Sequence, residues 1–276
     1  MKVVYNWYYG GEGGMPALRK GSCMMYDLQR ASMWKRISAF LFDAILLCIV
    51  AVLFAWGLSV VTGYDDHNAA LEAAYARYGE QYGVDFDLSL EEYDALTPEG
   101  LAQLEAAYAA LSADGDAIYA YNMTIQLTLV ITTLGILAGF VVMELIIPLA
   151  LKNGQTLGKK IFGVAVMFTD GVQLNGRGLF IRTILGKYTI ETMVPVLLVM
   201  MIWFGILGLT GTLVLLGVMA VNAVMLMFTK NRWMIHDALA STVTVDLASQ
   251  MIFPDRAAMI AYKERVHAEM AARADY

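Results

Sequence analysis

Long apolar stretches dominate the chain, and they are long enough to cross a lipid bilayer. The last of them, residues 188–228, would be about 60 Å long as one helix, roughly twice the hydrocarbon core. Gly205, Gly208 and Gly211 lie at its midpoint and supply a breaking point. The pattern therefore predicts four transmembrane helices, at residues 37–61, 121–151, 188–206 and 210–229. The last two are near the short limit for spanning, so a re-entrant hairpin is the alternative.

The segment between the first two spans, residues 62–120, is predicted to form a small helical insert. The hexapeptide LEAAYA occurs there twice, at Leu71–Ala76 and at Leu104–Ala109, either as a duplicated helix or by chance in an alanine-rich segment. Two helix-start patterns lie between the copies, namely the capping-box spacing of Ser89 with Glu92 and the cap followed by proline at Thr97 and Pro98.

Two short segments outside the spans have the character of β-strands. Ile161–Phe168 is β-prone and is followed by the turn signal Asp170-Gly171, after which Val172–Leu174 could return. Ser241–Asp246 alternates apolar and polar residues, as a half-buried strand does. We expect these pieces to form a small sheet, followed by a polar C-terminal helix from Pro254-Asp255 to about Arg273.

Composition and charge add an orientation to this picture. Apolar residues make up 59% of the chain and charged residues 16%, which points to lipid as the solvent. Residues 62–120 contain thirteen acidic residues and one basic residue, Arg77. The other three flanks are basic, which predicts that they face the cytoplasm and that the insert is extracytoplasmic. Their charges are Arg30, Lys35, Arg36, Lys152, Lys159, Lys160, Arg177, Arg182, Lys187, Lys230 and Arg232.

The predicted fold class is an all-α membrane protein of the cell membrane. It combines a four-helix bundle with an extracytoplasmic acidic helical insert and a small cytoplasmic β hairpin or sheet. The organisation has a cytoplasmic N-terminal segment, a membrane domain interrupted by the insert, and a cytoplasmic C-terminal helix, at residues 1–30, 31–247 and 248–276.

Polar side chains enter all four spans at a similar depth, roughly 6–12 Å below the cytoplasmic interface. They are Asp43, Glu144, Glu191 and Asn222. Arg36 lies two helical turns before Asp43, too far for direct contact, so each should reach a partner on another helix. His236 and Asp237 follow the fourth span, where Asp237 could meet Arg36.

This slab of polar groups has two interpretations. In the first it is a cation-handling, proton-handling or anion site, because ionisable residues within membrane spans are costly and often functional. The carboxylates would then repel one another unless one is protonated or paired. In the second, the groups join the helices or extend to the nearby interface.

The loop after the second span, KNGQTLGKK at residues 152–160, contains glycines, a threonine and paired lysines. The order required for a phosphate-binding P-loop is absent, so no nucleotide is expected. Lys159, Lys160, Arg177 and Arg182 are candidates for contact with anionic lipid headgroups. No catalytic constellation, cofactor, metal site or nucleic-acid partner is expected, and the chain is not predicted to be an enzyme.

Three separated motifs resemble those of the RDD family of membrane proteins. The first span opens Arg-x-x-Ala-x-x-x-Asp, here Arg36, Ala39 and Asp43. The loop matches at Gly154, Gln155, Thr156, Gly158 and Lys159, and the strand and turn match at Gly163, Val164, Val166, Asp170 and Gly171. An arginine follows, matching Arg182. The end of the pattern matches at His236, Asp237, Ala240, Thr242, Thr244 and Val245.

The resemblance covers residues 30–247 and leaves the acidic insert and the tail beyond residue 250 outside the family pattern. It implies that the name-giving arginine and two aspartates are Arg36, Asp43 and Asp237. Most family members have no assigned activity, and sodium–proton antiport is reported for some. The resemblance therefore implies transport of monovalent cations or small ions coupled to protons.

Two functions are compatible with these observations. A secondary transporter is favoured by the intramembrane carboxylates, although four short spans are few for alternating access without assembly into a homo-oligomer. A non-transporting scaffold or assembly partner would use the outer insert and the inner loop as docking surfaces.

The predicted orientation can be tested by cysteine labelling. In a variant lacking Cys23 and Cys48, we expect a cysteine at Ala113 to react with a membrane-impermeant maleimide in intact cells. A cysteine at Ser241 should react only after the cells are opened. Labelling of both positions from the same side would contradict the four-span topology.

Overall fold

The computed structural model describes residues 28–151, 154–229 and 233–273. Within them, four helices are long and apolar enough to cross a membrane: α1 (Met33–Thr62), α5 (Gly115–Leu151), α7 (Gly176–Trp203) and α8 (Leu209–Phe228). This confirms the prediction of an all-α membrane protein with four spans. Most of the predicted N-terminal segment lies outside the described residues, as do Lys152, Lys230 and Arg232, which were used to orient the chain.

The helices differ from the predicted spans chiefly at their polar ends. Helix α7 begins at Gly176 rather than at residue 188, so Arg182 and Lys187 belong to the helix and not to the preceding loop. The apolar pattern placed these two residues outside the span because charged side chains are usually exposed to water. In the structure, both are paired with carboxylates. The break between α7 and α8 falls at residues 204–208, where Gly205 has a positive φ of 69°. Gly211 lies in the first turn of α8, outside the break.

Helices α1 and α5 pack through small side chains. A Cβ atom added at Gly135 would lie 3.0 Å from the Cβ of Ala55, and one added at Gly139 would lie 3.3 Å from the Cβ of Ala51. Two glycines four residues apart thus face two alanines four residues apart. Small residues at this spacing let helix backbones approach closely, which is how helices associate where lipid removes the hydrophobic driving force. By contrast, α8 packs mainly against α7.

The insert between α1 and α5 is helical, as predicted. It comprises α2 (Tyr64–Tyr82), α3 (Leu90–Asp94) and α4 (Pro98–Leu111). The two LEAAYA copies lie on α2 and α4, which pack together. Ala74 and Ala107 occupy the same position of the repeat, and both are buried. Tyr75 and Tyr108, the next pair, contact the same ring, Phe86, with centroid distances of 5.2 and 5.0 Å.

The predicted sheet is present at the opposite end of α1 and α5 from the insert. Strand β1 (Val164–Phe168) follows the short helix α6 (Leu157–Ile161) and pairs antiparallel with β2 (Thr242–Asp246), which follows the short helix α9 (Ile235–Leu239). The returning segment predicted after Gly171 forms only isolated bridges, from Gln173 to Met167 and from Val172 to Phe253. Helix α10 (Arg256–Arg273) completes the described chain. We call the two ends of the molecule the sheet end and the insert end.

The contact between α1 and α5 predicts a position-specific effect of glycine substitution. Gly139→Leu should overfill the interface and lower the stability of the detergent-solubilised protein by about 1–3 kcal/mol, the usual cost of overpacking. Gly57→Leu is the matched control on α1, since nothing lies within 4 Å of a Cβ added there. Thermal unfolding followed by circular dichroism compares the two. Equal stability of both variants would contradict this packing.

Candidate functional site

The polar residues predicted within the spans meet at the sheet end. Four carboxylates and four cationic side chains are gathered there around one histidine, on α1, α5, α6, α7 and α9. These nine residues, which we call the charge network, are Arg36, Asp43, Glu144, Lys159, Arg182, Lys187, Glu191, His236 and Asp237. Most are buried or nearly so, although charged side chains are normally left in water.

Asp237 is the centre of the first half of the network. Its Oδ1 accepts hydrogen bonds from Arg182 and from the Thr242 hydroxyl, the latter at 3.1 Å. Its Oδ2 lies 3.8 Å from an amino nitrogen of Arg36, so the two residues that the sequence placed at one interface are adjacent. Arg182 also donates to Thr242 Oγ1 at 2.6 Å. One buried carboxylate therefore ties α1, α7, α9 and β2 together.

His236 joins this half of the network in a defined tautomer. Its Nδ1 lies 2.6 Å from Glu191 Oε2, and its backbone N–H donates to Glu191 Oε1 at 2.9 Å. Its Nε2 lies 3.0 Å from a guanidinium nitrogen of Arg182. Because a guanidinium only donates, Nε2 must accept, and Nδ1 must carry the proton that Glu191 accepts. The imidazole is therefore neutral. We call Arg36, Arg182, Glu191, His236 and Asp237 the arginine cluster.

Glu144 holds the second half of the network. Its Oε1 accepts from Lys187 Nζ at 2.6 Å, and its Oε2 lies 3.6 Å from Lys159 Nζ. Both lysine side chains are largely buried, with 12–14% of their surface exposed. Thr183 also donates its hydroxyl to the backbone carbonyl of Glu144 at 3.0 Å. We call Glu144, Lys159 and Lys187 the lysine cluster.

Asp43 differs from the other carboxylates because its direct partners are neutral. Its Oδ2 accepts from the Thr156 hydroxyl, and its Oδ1 accepts from the backbone N–H of Gly158 at 2.7 Å. Among the residues that the structure describes, no lysine or arginine nitrogen lies within 4.0 Å of it. Asp43 instead acts on Lys159 at longer range, because its negative charge raises the pKa of that lysine. Asp43 is thus a buried carboxylate whose charge no direct ion pair compensates.

Each residue of the loop that matches the family motif has a structural role. Gly154 has a positive φ of 60°. Gln155 donates its amide to the Val164 carbonyl at 2.7 Å, which fixes the loop to β1. Thr156 caps α6 and bonds Asp43. Gly158 has no room for a side chain, since a Cβ there would lie 2.5 Å from the Ala39 carbonyl oxygen. Lys159 then extends toward Glu144.

The backbone of α7 brings two members of the arginine cluster, Arg182 and Glu191, onto one face. Residues Ile181–Met193 form a π-helix, and Glu144 lies in a shorter π-helical segment of α5, Val141–Ile146. In an α-helix of 3.6 residues per turn, Arg182 and Glu191 would point about 180° apart. The wider π-helix, with about 4.4 residues per turn, places them on nearly the same face. Both can therefore reach His236.

Burial and pairing shift the pKa values of the groups that lie outside the spanning helices. Burial by itself would raise the pKa of Asp237, but the charge and the hydrogen bond of Arg182, together with the charge of Arg36, hold it well below its usual range. Burial and the charge of Arg182 lower the pKa of His236, in agreement with the neutral tautomer. Burial also lowers the pKa of Lys159 to about 8, although Glu144 opposes the shift. Lys159 therefore holds its proton less firmly near neutral pH than an ordinary lysine does.

The structure gives each carboxylate of the charge network its own donors or cations, which agrees with the paired alternative considered from the sequence. Lys159 and Arg182, considered as headgroup contacts, are buried in ion pairs, whereas Lys160 and Arg177 are exposed. Asn222 only accepts the backbone N–H of Ile235, at 3.4 Å. Sequence reasoning missed Lys159 as a partner of Glu144 and Thr242 as a partner of Asp237. Both residues belong to the family motifs, but the motifs do not indicate which side chain either one contacts.

Comparison with known families gives the same assignment as the motifs. Residues 30–241 match the family model described as RDD family. The chain belongs to the RDD family. No curated protein and no solved structure matches the chain. The resemblance implies that the family's name-giving arginine and two aspartates are Arg36, Asp43 and Asp237. In this RDD protein Arg36 and Asp237 are adjacent, whereas Asp43 anchors the loop. Among the described residues, no group of three or more His, Cys, Asp or Glu side chains is arranged to hold a metal ion.

The neutral state of His236 predicts a pH-dependent stability. The pKa of this histidine is lowered in the folded protein, so the unfolded chain binds more protons below its own pKa of about 6.5. The contribution of His236 to stability should therefore be intact above pH 6.5 and fall as the pH drops below it, by at most about 1.4 kcal/mol per pH unit. Thermal unfolding in detergent across this range measures the effect.

Two variants assign the pH dependence to its residue. His236→Asn keeps an amide donor toward Glu191 but does not titrate, so its unfolding temperature should fall less steeply with acid than that of wild type. His267→Asn is the control, because His267 is exposed on α10. If the two variants have the same pH profile, the loss of stability at low pH arises elsewhere.

Proposed function

We propose that this RDD protein is a secondary transporter that exchanges one proton for one monovalent cation, and that Asp43, Glu144 and Lys159 form the exchange site. The observation that carries the proposal is the charge balance around Lys159. The lysine cluster contains two ammonium groups and one carboxylate, and Asp43 supplies the second carboxylate nearby. With Lys159 protonated, this group of four is neutral.

Loss of the Lys159 proton leaves the same four residues with one net negative charge. In a largely dehydrated site, an uncompensated charge is costly and attracts a counter-ion. Carboxylate oxygens suit small hard cations such as sodium. A proton on Lys159 and a cation beside Asp43 and Glu144 would therefore occupy the site alternately. The low pKa of Lys159, about 8, makes its proton exchangeable under ordinary conditions.

The arginine cluster supports a separate role, the attachment of the sheet end to the helices. Its two arginines and two carboxylates balance, and both ring nitrogens of His236 are occupied. A group in which each charge is already matched has no need of an added ion. We assign it to holding α9 and β2 against α1 and α7, so that the exchange site keeps its shape.

The exchange can be measured by fluorescence of a pH dye inside proteoliposomes. A gradient of sodium, potassium or lithium should drive proton movement through the wild-type protein. Because one positive charge replaces another, the rate should not change when a potassium–valinomycin potential is applied. If none of the three cations moves protons, the transport proposal is wrong.

Three variants separate cation binding from proton coupling. Asp43→Asn keeps the shape but never reaches a net negative charge, so it should lose both proton movement and isotopic cation exchange. Lys159→Gln carries a permanent negative charge in the site, so it should lose the proton coupling and retain cation exchange. Lys160→Gln is the matched control, because Lys160 is the adjacent lysine and is exposed. It should behave as wild type.

The competing function is a non-transporting scaffold, which the complete pairing of the arginine cluster favours. Under that function, wild-type vesicles show no cation-driven proton movement, and Asp43→Asn affects only the attachment of the loop. If the Asp43→Asn protein folds and moves ions as well as wild type does, Asp43 is not part of the exchange site, although the protein is still a transporter.

A further inference from the structure

The insert end carries a feature that the exchange site does not use. A groove of about 610 Å³ opens beside the connection between α2 and α3. Its walls include three aromatic side chains, Tyr75, Phe86 and Tyr108, and its rim carries three carboxylates, Glu80, Asp85 and Asp87. Its volume lies within the range of ligand-binding clefts.

The aromatic wall is built by the internal repeat. Tyr75 and Tyr108 occupy the same position in the two LEAAYA copies, and both present edge contacts to Phe86, with interplanar angles of 69° and 77°. Tyr108 is 45% exposed, so part of its ring is accessible to a ligand. An aromatic surface attracts cations through its negatively charged face.

Within the part of the chain that the structure describes, no cation pairs with the carboxylates on the rim. All three residues are exposed, and none forms an ion pair within the described part of the chain. The only basic residue of the insert, Arg77, is bonded to Asp114 and stacks over Tyr78 at 4.9 Å. The charge of the groove is therefore available to a partner.

We propose that this groove binds an arginine side chain presented by a basic peptide segment of a partner protein. A guanidinium combines the two interactions that the groove offers, since it stacks on aromatic rings and donates paired hydrogen bonds to carboxylates. A lysine ammonium is a compact, strongly hydrated charge and uses the aromatic wall less well. The acidic surface of the insert, with thirteen Asp and Glu residues in 62–120, steers a basic partner toward the groove.

The test uses the full-length protein in nanodiscs of phosphatidylcholine, which adds no net lipid charge. The probe is a fluorescently labelled peptide of alternating arginine and glycine, and binding is read as anisotropy. We expect the arginine peptide to bind more tightly than the same peptide with lysine, and the peptide with neutral citrulline not to bind. Absence of binding by the arginine peptide, or equal binding of the arginine and lysine peptides, overturns the proposal.

Variants then separate the groove from the general acidity of the insert. Tyr108→Leu keeps an apolar side chain but removes the ring. It should lower the affinity for the arginine peptide by about threefold to tenfold and have little effect on the affinity for the lysine peptide. Asp85→Asn with Asp87→Asn should weaken binding and flatten its salt dependence. Glu91→Gln with Glu99→Gln is the matched control, since both glutamates are exposed and lie outside the groove.

The outcomes are distinguishable. If the control pair weakens binding as much as the aspartate pair, the peptide is held by diffuse attraction to the insert and the groove is not its site. The circular dichroism of each variant shows whether the helices are retained. If the Tyr108→Leu protein keeps its helices and binds the arginine peptide as tightly as wild type does, the aromatic wall does not take part in recognition.

Discussion

The need to neutralise charge in a dehydrated place governs the sheet end of this protein. Moving a carboxylate or an ammonium group out of water is costly unless a partner of opposite charge or several hydrogen bonds replace the lost hydration. Asp237, with 1% of its side chain exposed, satisfies this requirement through Arg182, Arg36 and Thr242. Because these partners come from separate elements, one electrostatic requirement fixes how the sheet joins the membrane helices.

The membrane helices themselves provide less cohesion than a water-soluble core does. The most apolar window of α1 and that of α8 are each only 6% buried inside the chain, because lipid rather than protein covers them. Close packing is concentrated where small residues let α1 and α5 approach. The polar contacts at the sheet end therefore add to the apolar contacts in fixing the relative positions of α1, α5 and α7.

The two halves of the charge network differ in what they can do. The arginine cluster pairs two arginines with two carboxylates, and its histidine is held neutral by a carboxylate and a guanidinium. The lysine cluster depends on Asp43 for its balance and contains a lysine that loses its proton more readily. This difference is why we propose exchange for the lysine cluster with Asp43 and attachment for the arginine cluster. The groove at the insert end is lined by residues of the repeat and of the connection after α2, outside the family motifs.

The sequence by itself determined the four membrane helices, the helical insert and the two strands. These follow from apolar length, periodicity and caps, which are local properties of the chain. Only the tertiary structure decided which charges pair. Arg182 and Glu191 share a face because α7 widens into a π-helix, and Lys159 reaches Glu144 because Gly158 lies against Ala39. Pairing depends on distances between segments far apart in sequence, and no local pattern encodes them.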